Sequence, residues 1–156
     1  PNQYPEKLIP LFVTNALEGE KLPLYGDGLN VRDWLHADDH CDGIAHVLAN
    51  GAPGEVYNVG GGNERTNLEI TGIILDELGL DESAIRRVTD RPGHDRRYSL
   101  DCSKMHALGW RPAVEFEQGL RETIRWYRDN RWWWEKIKHG TEEFARWQAR
   151  WYEERK

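Results

Sequence analysis

Short extended segments alternate with helical patterns along this chain, and that alternation restricts the fold to the α/β class. Apolar residues recur at helical spacing in three segments of the first half, residues 6–19, 38–50 and 66–79. Apolar or alternating runs between and after them predict short strands at residues 22–25, 31–35, 55–59 and 85–88. These strands are too few for a complete doubly wound domain, so we expect the sheet to be finished by further chain.

Helix boundaries are marked by capping residues and glycines. Gly19 and Asn50-Gly51 end the first two helices, and Asp38 is expected to cap the second. Thr66 and Glu69 have the spacing of a capping box, which opens the third helix. In the second half we predict a short helix capped by Asp101 or Ser103, a long amphipathic helix from 116 to about 134, and a last helical segment after Gly140-Thr141.

Length and composition limit the class of protein. At 156 residues the chain can form one ordinary domain, and its 38% hydrophobic and 31% charged residues are typical of a water-soluble protein. The net charge of −6 argues against general nucleic-acid binding, and no apolar run approaches a membrane span. Two cysteines without a C-x-x-C motif fit the cytoplasm. Because the chain starts at Pro1 and has a single methionine, Met105, we interpret it as part of a longer protein.

A cluster of cations stands out on this acidic chain at residues 89–99, which contain three arginines and a histidine around a Pro92-Gly93 corner. Arginine suits a diphosphate, because its planar guanidinium donates paired hydrogen bonds and keeps its charge. Proline fixes φ and glycine permits a sharp turn, so Arg91 and His94 can project from a defined loop. The alternative is a solvated charged loop that pairs with surrounding acids.

Arg32 is a second candidate anion-binding residue, because it lies between a glycine turn and a capped helix. A buried structural pair between Arg32 and Asp33 is the alternative interpretation. The sequence leaves both open.

Three apparent motifs do not support the chemistry they resemble. Gly60-Gly61-Gly62 follows a predicted strand, but Arg65 stands where a dinucleotide loop requires its third glycine. It is better interpreted as a close-approach turn, with Asn67 offering an amide or N–H groups to an anion. His36 and His40 have zinc spacing but lack the accompanying glutamate, so no metal site is predicted. Residues 152–156 match Tyr-x-x-x-Lys, but in a charged tail we do not expect burial to lower a tyrosine pKa, so the match is interpreted as chance.

Tryptophan is concentrated near the end of the chain, where six of the eight lie: Trp126, Trp132, Trp133, Trp134, Trp147 and Trp151. Successive helical residues point about 100° apart, so three consecutive tryptophans cannot all face one core. At least one is expected to meet solvent, a partner or another segment. Packing against the rest of the chain is favoured over a binding surface.

Six segments occur in an order that identifies a family: residues 4–10, 22–28, 30–35, 54–64, 90–98 and 108–110. Together they closely resemble the C-terminal half of the dTDP-glucose 4,6-dehydratases, which belong to the extended short-chain dehydrogenase/reductase superfamily. The resemblance covers residues 1 to about 134, and Arg-Pro-Gly-His-Asp-Arg-Arg-Tyr at 91–98 is specific to this branch.

The resemblance implies a Rossmann domain that holds NAD and a smaller C-terminal domain that holds the nucleotide sugar. The family's glycine-rich loop, its Tyr-x-x-x-Lys pair and its Thr-Asp-Glu set would all lie upstream of this chain. No catalytic residue is therefore assigned here, and NAD would be bound by the other half. Residues 38–60 would pack with the Rossmann domain, contributing one strand and one helix to its sheet, and the whole enzyme would be a homodimer.

The resemblance also assigns a substrate side to this chain, residue by residue. Glu6 and Lys7 would lie at the sugar nucleotide, and Pro23, Leu24 and Tyr25 would line the thymine pocket. Arg32 and Arg91 would clamp the diphosphate with the help of Asn67. His94 and the turn formed by Asp90, Arg91, Pro92 and Gly93 would complete the site, whereas Arg96 and Arg97 are expected to be structural.

Three functions remain open at this point. The first is the substrate-binding part of a dTDP-glucose 4,6-dehydratase that is inactive alone. The second is a nucleotide-sugar epimerase or decarboxylase of the same superfamily, and the third is a stand-alone nucleotide-sugar binding module.

Overall fold

A computed structural model describes residues 1–140 and 142–153 of the chain. Helices and short strands alternate as the sequence predicts, and this assigns the chain to the α/β class. The strands are β1 (Leu22–Tyr25), β2 (Val31–Asp33), β3 (Glu64–Thr66) and β4 (Ile85–Val88). The helices are α1 (Leu8–Leu17), α2 (Ala37–Asn50), α3 (Asn67–Leu78), α4 (Ser103–Ala107), α5 (Phe116–Asp129), α6 (Arg131–Gly140) and α7 (Glu142–Gln148), followed by a π-helical turn at Ala149–Glu153.

The strands form two small sheets. β1 and β4 pair in parallel, with Leu22 opposite Ile85 and Tyr25 opposite Val88. β2 and β3 pair antiparallel, with Arg32 opposite Arg65. A bridge between Val31 and Arg97 links β2 to the loop after β4, so one strand from each sheet reaches the cation-rich loop.

Three helices, α1, α3 and α5, pack on one another and enclose the core. Fully buried side chains come from each of them, among them Val13, Ile74 and Ile124. Burial of each such side chain contributes on the order of 2 kcal/mol, so this three-helix layer supplies most of the driving force for folding. None of the helices in the described residues is both long enough and apolar enough to cross a bilayer.

Several local signals give the predicted boundaries. The Thr66 hydroxyl accepts from the Glu69 N–H, and the Glu69 carboxylate accepts from the Thr66 N–H, which completes the predicted capping box of α3. Gly79 ends that helix at φ +66°, a left-handed conformation that favours glycine. The predicted cap of α4 is wrong: the N-cap residue is Cys102, which makes no side-chain cap bond, and the carboxylate of Asp101, one residue earlier, accepts from the Ser103 N–H.

The predicted cap of α2 is wrong. The residue before the helix is His36, whose Nδ1 accepts from the Asp38 N–H at 3.2 Å, so Asp38 lies inside the first turn. The first-turn carboxylate of Asp39 has another role. It accepts from the N–H groups of Ala113 and Val114 at 3.0 and 3.1 Å and ties α2 to the segment before α5.

The strand predicted at residues 55–59 is also wrong for this chain. These residues have no regular structure, and Val56 is 79% exposed. A strand needs a neighbour for its backbone groups, and within the described ranges no strand lies beside this segment. Ile44 and Leu48 of α2 are exposed as well, so this side of the molecule carries little cover from the described residues.

The long helix predicted from 116 to about 134 is two helices. Asn130 interrupts it at φ −120° and ψ 46°, and its side-chain amide donates to the Trp126 carbonyl. The interruption turns Trp134 into the core, where it is fully buried and its indole N–H donates to the Tyr127 carbonyl at 2.8 Å. Trp132 is 61% exposed, so the expectation that the three tryptophans cannot share one core is confirmed.

Candidate functional site

A cavity of about 480 Å³ opens between the start of α1, strands β1 and β2, the loop after β4 and the C-terminal residues. Residues far apart in the chain meet there. Nine of the predicted substrate-side residues line it: Glu6, Lys7, Pro23, Leu24, Tyr25, Arg32, Asn67, Arg91 and His94. The other three predicted residues, Asp90, Pro92 and Gly93, form the adjacent turn instead.

The guanidinium group of Arg32 enters this cavity from β2. It donates to the Val31 carbonyl at 2.6 Å, and its centre lies 4.5 Å from the centroid of the Tyr98 ring. Burial lowers the pKa of Arg32, and the nearby positive charge of Arg91 lowers it further. Two guanidinium groups that line one cavity suit a ligand with two negative charges.

The alternative Arg32–Asp33 pair is wrong. The Asp33 carboxylate accepts from the Gly61 N–H at 2.9 Å and from the Asn63 N–H at 2.8 Å, and so binds the glycine loop instead. A Cβ on Gly61 would lie 2.0 Å from the Trp34 carbonyl oxygen, so glycine is needed there for close approach. Residues 60–62 are therefore the close-approach turn predicted from the sequence, and the role of Asp33 in holding that turn could not be seen in the sequence.

This loop does not fit a dinucleotide cofactor. The Gly61 and Asn63 N–H groups that would contact a pyrophosphate are already bound to Asp33. The start of α3 is also occupied, because the N–H groups of Asn67 and Leu68 donate to the carbonyls of Asn30 and Gly28. The prediction of N–H groups for an anion at this helix start is thus wrong, although Asn67 does line the cavity.

The corner at residues 90–94 is held by one carboxylate. Asp90 Oδ1 accepts from the Arg91 N–H at 2.8 Å and lies 2.6 Å from His94 Nδ1. Gly93 has φ +69°, the left-handed conformation predicted for this position. The turn closes with the His94 N–H donating to the Arg91 carbonyl, so both side chains project from one rigid loop.

Tyr25 forms the aromatic wall of the cavity at the end of β1. Its ring meets the His94 ring edge to face, with centroids 5.8 Å apart. Pairing of β1 with β4 fixes its position, because the Gly26 N–H donates to the Val88 carbonyl. The cavity thus has an aromatic surface from β1 and two guanidinium groups from β2 and the loop after β4.

Arg96 and Arg97 pair with acids outside the cavity, as their predicted structural role requires. Arg96 binds both carboxylate oxygens of Asp27 at 2.8 and 3.0 Å, which lowers the pKa of Asp27 to about 2. Arg97 pairs with Glu64 at 2.5 Å. These contacts fasten the loop after β4 to the turn after β1 and to β3.

Sequence analysis missed a second contribution, which comes from the chain's end. Trp147, Trp151 and Tyr152 line the cavity, and the Tyr152 ring stacks on the Tyr25 ring with centroids 5.5 Å apart. Tyr152 is partly buried, but burial raises its pKa, the opposite of what a catalytic tyrosine needs, in line with the interpretation of Tyr-x-x-x-Lys as a chance match. Lys156 lies outside the described residues.

The fold is that of part of an extended short-chain dehydrogenase/reductase. The chain belongs to the family described as GDP-mannose 4,6 dehydratase, whose model matches residues 1–123.

Curated relatives include a dTDP-glucose 4,6-dehydratase of Streptomyces antibioticus, 58% identical over 88% of this chain and 42% of that protein. Another, from Escherichia coli, is 46% identical over 90% of this chain and 42% of that protein. The chain therefore spans less than half the length of the relatives it matches, and the match lies in their C-terminal half.

Solved structures agree with this assignment. DesIV, a dTDP-glucose 4,6-dehydratase from Streptomyces venezuelae with NAD and TYD bound, superposes with a TM-score of 0.86 at 64% identity. The match covers 88% of this chain and 43% of DesIV. A UDP-glucose 4-epimerase of Thermotoga maritima with UDP-glucose superposes less well, with a TM-score of 0.73 at 30% identity, over 79% of this chain and 40% of the epimerase.

Proposed function

We propose that this chain is the nucleotide-sugar-binding part of an NAD-dependent dTDP-glucose 4,6-dehydratase, which converts dTDP-glucose to dTDP-4-keto-6-deoxyglucose. In that reaction C4 of the sugar is oxidised, water is lost across C5–C6, and the hydride returns at C6. NAD and the catalytic residues would belong to the other half of the protein, so this chain alone is expected to be inactive. The whole enzyme would work as a homodimer in the cytoplasm.

One observation carries the proposal. Arg32, Arg91 and Tyr25 come from separate parts of the chain, yet they line one cavity as the family resemblance predicts. Two permanent cations suit the two linked phosphates, and an aromatic face suits a base. Asn67 adds a side-chain amide to the lining of the same cavity.

The glycine loop supports the proposal that this chain binds the nucleotide sugar and the other half of the protein binds NAD. Its N–H groups are bound to Asp33, so this chain offers no pyrophosphate-binding loop of its own in residues 60–63. NAD, whose chemistry is to accept and return the hydride, would therefore be held by residues outside this chain.

Binding of thymidine diphosphate, measured by titration calorimetry on the 156-residue chain, tests the proposal. Removing the Arg91 guanidinium in Arg91→Ala deletes charge-assisted hydrogen bonds, each contributing about 1.5–3 kcal/mol, so affinity is expected to fall roughly 10- to 150-fold. Arg128→Ala is the matched control, because Arg128 pairs with Asp129 at the end of α5 and does not line the cavity, and its affinity should stay within about twofold of the parent.

Two results contradict the proposal. The first is equal affinity in the Arg91→Ala and parent chains, which would remove the diphosphate from this cavity. The second is tighter binding of uridine or guanosine diphosphate than of thymidine diphosphate, which would favour another enzyme of the superfamily.

A further inference from the structure

The end of the chain lies across the proposed nucleotide cavity. Residues 142–153, which we call the aromatic segment, are anchored by Phe144, whose side chain is 1% exposed and belongs to the main core. The Phe144 ring lies 5.5 Å from the Trp147 ring, and Trp147 in turn meets Tyr152 edge to face at 5.5 Å. These ring contacts connect Tyr152, at the cavity, to Phe144 in the core.

Tyr152 covers one face of Tyr25. The two rings are inclined by 25° with centroids 5.5 Å apart, so they are stacked directly. A base between them would need two contacts of about 3.5 Å, or about 7 Å between ring planes. The observed separation is too small for insertion, and a base that stacks on this face must replace Tyr152.

The phosphate end of the same cavity is not covered in this way. Arg32 contacts the Val31 carbonyl and the Tyr98 ring, and no carboxylate in the described part of the chain forms an ion pair with Arg32 or Arg91. Tyr152 therefore covers the aromatic face of the cavity, whereas the two guanidinium groups have no ion-pair partner among the described residues.

We propose that Tyr152 is an intramolecular competitor for the base of the nucleotide: it occupies the face of Tyr25 on which the base stacks, and a bound nucleoside diphosphate displaces it. This inference rests on the proposed function. It assigns the aromatic segment a role in setting nucleotide affinity, in addition to its packing on the core.

If Tyr152 competes with the base, its removal should change the affinity of a ligand that has a base and leave that of a ligand without one unchanged. When a binding-competent form is only fractionally populated, the apparent dissociation constant rises in inverse proportion to that fraction. Removing one stacked ring is expected to tighten binding of thymidine diphosphate about 3- to 10-fold in Tyr152→Ala. Inorganic pyrophosphate reaches only the arginines, so its affinity should be the same in the variant and the parent.

Tyr152→Phe is the matched comparison: it keeps the stacked ring and loses only the side-chain hydrogen bond to Tyr25, so it should bind thymidine diphosphate less tightly than Tyr152→Ala does. Calorimetry on the 156-residue chain measures all three proteins with both ligands. Equal or weaker binding of thymidine diphosphate by Tyr152→Ala overturns the inference. An equal gain for pyrophosphate also overturns it, because the effect would then not depend on the base.

Hydrogen exchange provides a second measurement that needs no substitution. Saturating thymidine diphosphate should speed exchange of the amides in residues 142–153 of the parent chain, whereas slower exchange there would show closure and overturn the inference. Failure of the proposed function looks different. In that case neither ligand binds the parent or Tyr152→Ala, whereas failure of competition alone leaves both proteins binding thymidine diphosphate equally.

Discussion

Replacing glycine with alanine is expected to destabilise the fold at Gly61, in the glycine loop, and to stabilise it at Gly72, in α3. A Cβ on Gly61 would lie 2.0 Å from the Trp34 carbonyl oxygen, well inside the 3.0 Å limit of real contacts. Because the obstacle is backbone, the loop itself must move. Gly72, in the middle of α3, has no left-handed φ, and a Cβ added there would meet nothing within 4 Å.

The magnitude follows from what the movement breaks. Overpacking costs about 1–3 kcal/mol, and displacing the loop weakens two N–H bonds to the Asp33 carboxylate, which contribute about 1.5–3 kcal/mol. We therefore expect Gly61→Ala to lower the free energy of unfolding by about 3 kcal/mol. Gly72→Ala should raise it by about 0.5–1 kcal/mol, because alanine is the better helix former.

Urea unfolding followed by tryptophan fluorescence and far-UV circular dichroism measures both variants against the parent. The reasoning is refuted if Gly61→Ala unfolds within about 0.5 kcal/mol of the parent with the same urea dependence, because that range is typical of an unconstrained surface site. It is also refuted if the two variants shift stability in the same direction.

Two further substitutions test contacts that the sequence did not reveal. Asp39→Ala removes the carboxylate that accepts from the N–H groups of Ala113 and Val114, so the free energy of unfolding should fall by about 2–3 kcal/mol. A change below about 0.5 kcal/mol in urea unfolding would contradict the role of Asp39 in tying α2 to the segment before α5. Tyr127→Phe tests a pH dependence. Burial raises the pKa of Tyr127 to about 12, above the value near 10 of an unfolded tyrosine. The neutral phenol therefore stabilises the fold below pH 10, and this contribution is lost as the pH rises through 12. The parent should therefore lose stability between about pH 10 and 12 more steeply than Tyr127→Phe, and parallel curves in that range would show that the phenol is not buried in solution.

Elements defined by local chemistry could be predicted from the sequence. The capping box at Thr66 and Glu69 and the left-handed glycines each depend on residues a few positions apart. Their physical cause acts within one turn of helix or one pair of residues, so a short stretch of sequence contains it.

Elements that depend on a distant partner were predicted poorly. Residues 55–59 have the composition of a strand, but a strand forms only beside another strand. The break at Asn130 is likewise set by burial of Trp134 against Tyr127, a tertiary preference that overrides a continuous amphipathic pattern. Neither cause is visible in a local window.

In the candidate site, too, residues with a local signal were predicted and contacts with distant partners were not. Arginines around a Pro-Gly corner indicated the cation-rich loop, and the family resemblance indicated which residues share a cavity with it. Asp33 was misassigned because its partners, Gly61 and Asn63, lie on another strand's loop. The placement of Tyr152 on Tyr25 was missed for a similar reason, since charged neighbours in the sequence suggested a solvated tail.

The parallel pairing of β1 with β4 affects the order in which the molecule acquires its binding surface. Two helices and the whole β2–β3 sheet separate these strands in the chain, so joining them closes a long loop, whereas each helix forms from local contacts. Tyr25 and Arg91 lie at or just beyond the ends of these strands and converge only after the join is made. The cavity that these residues line is therefore expected to close late in folding, after the helices have formed.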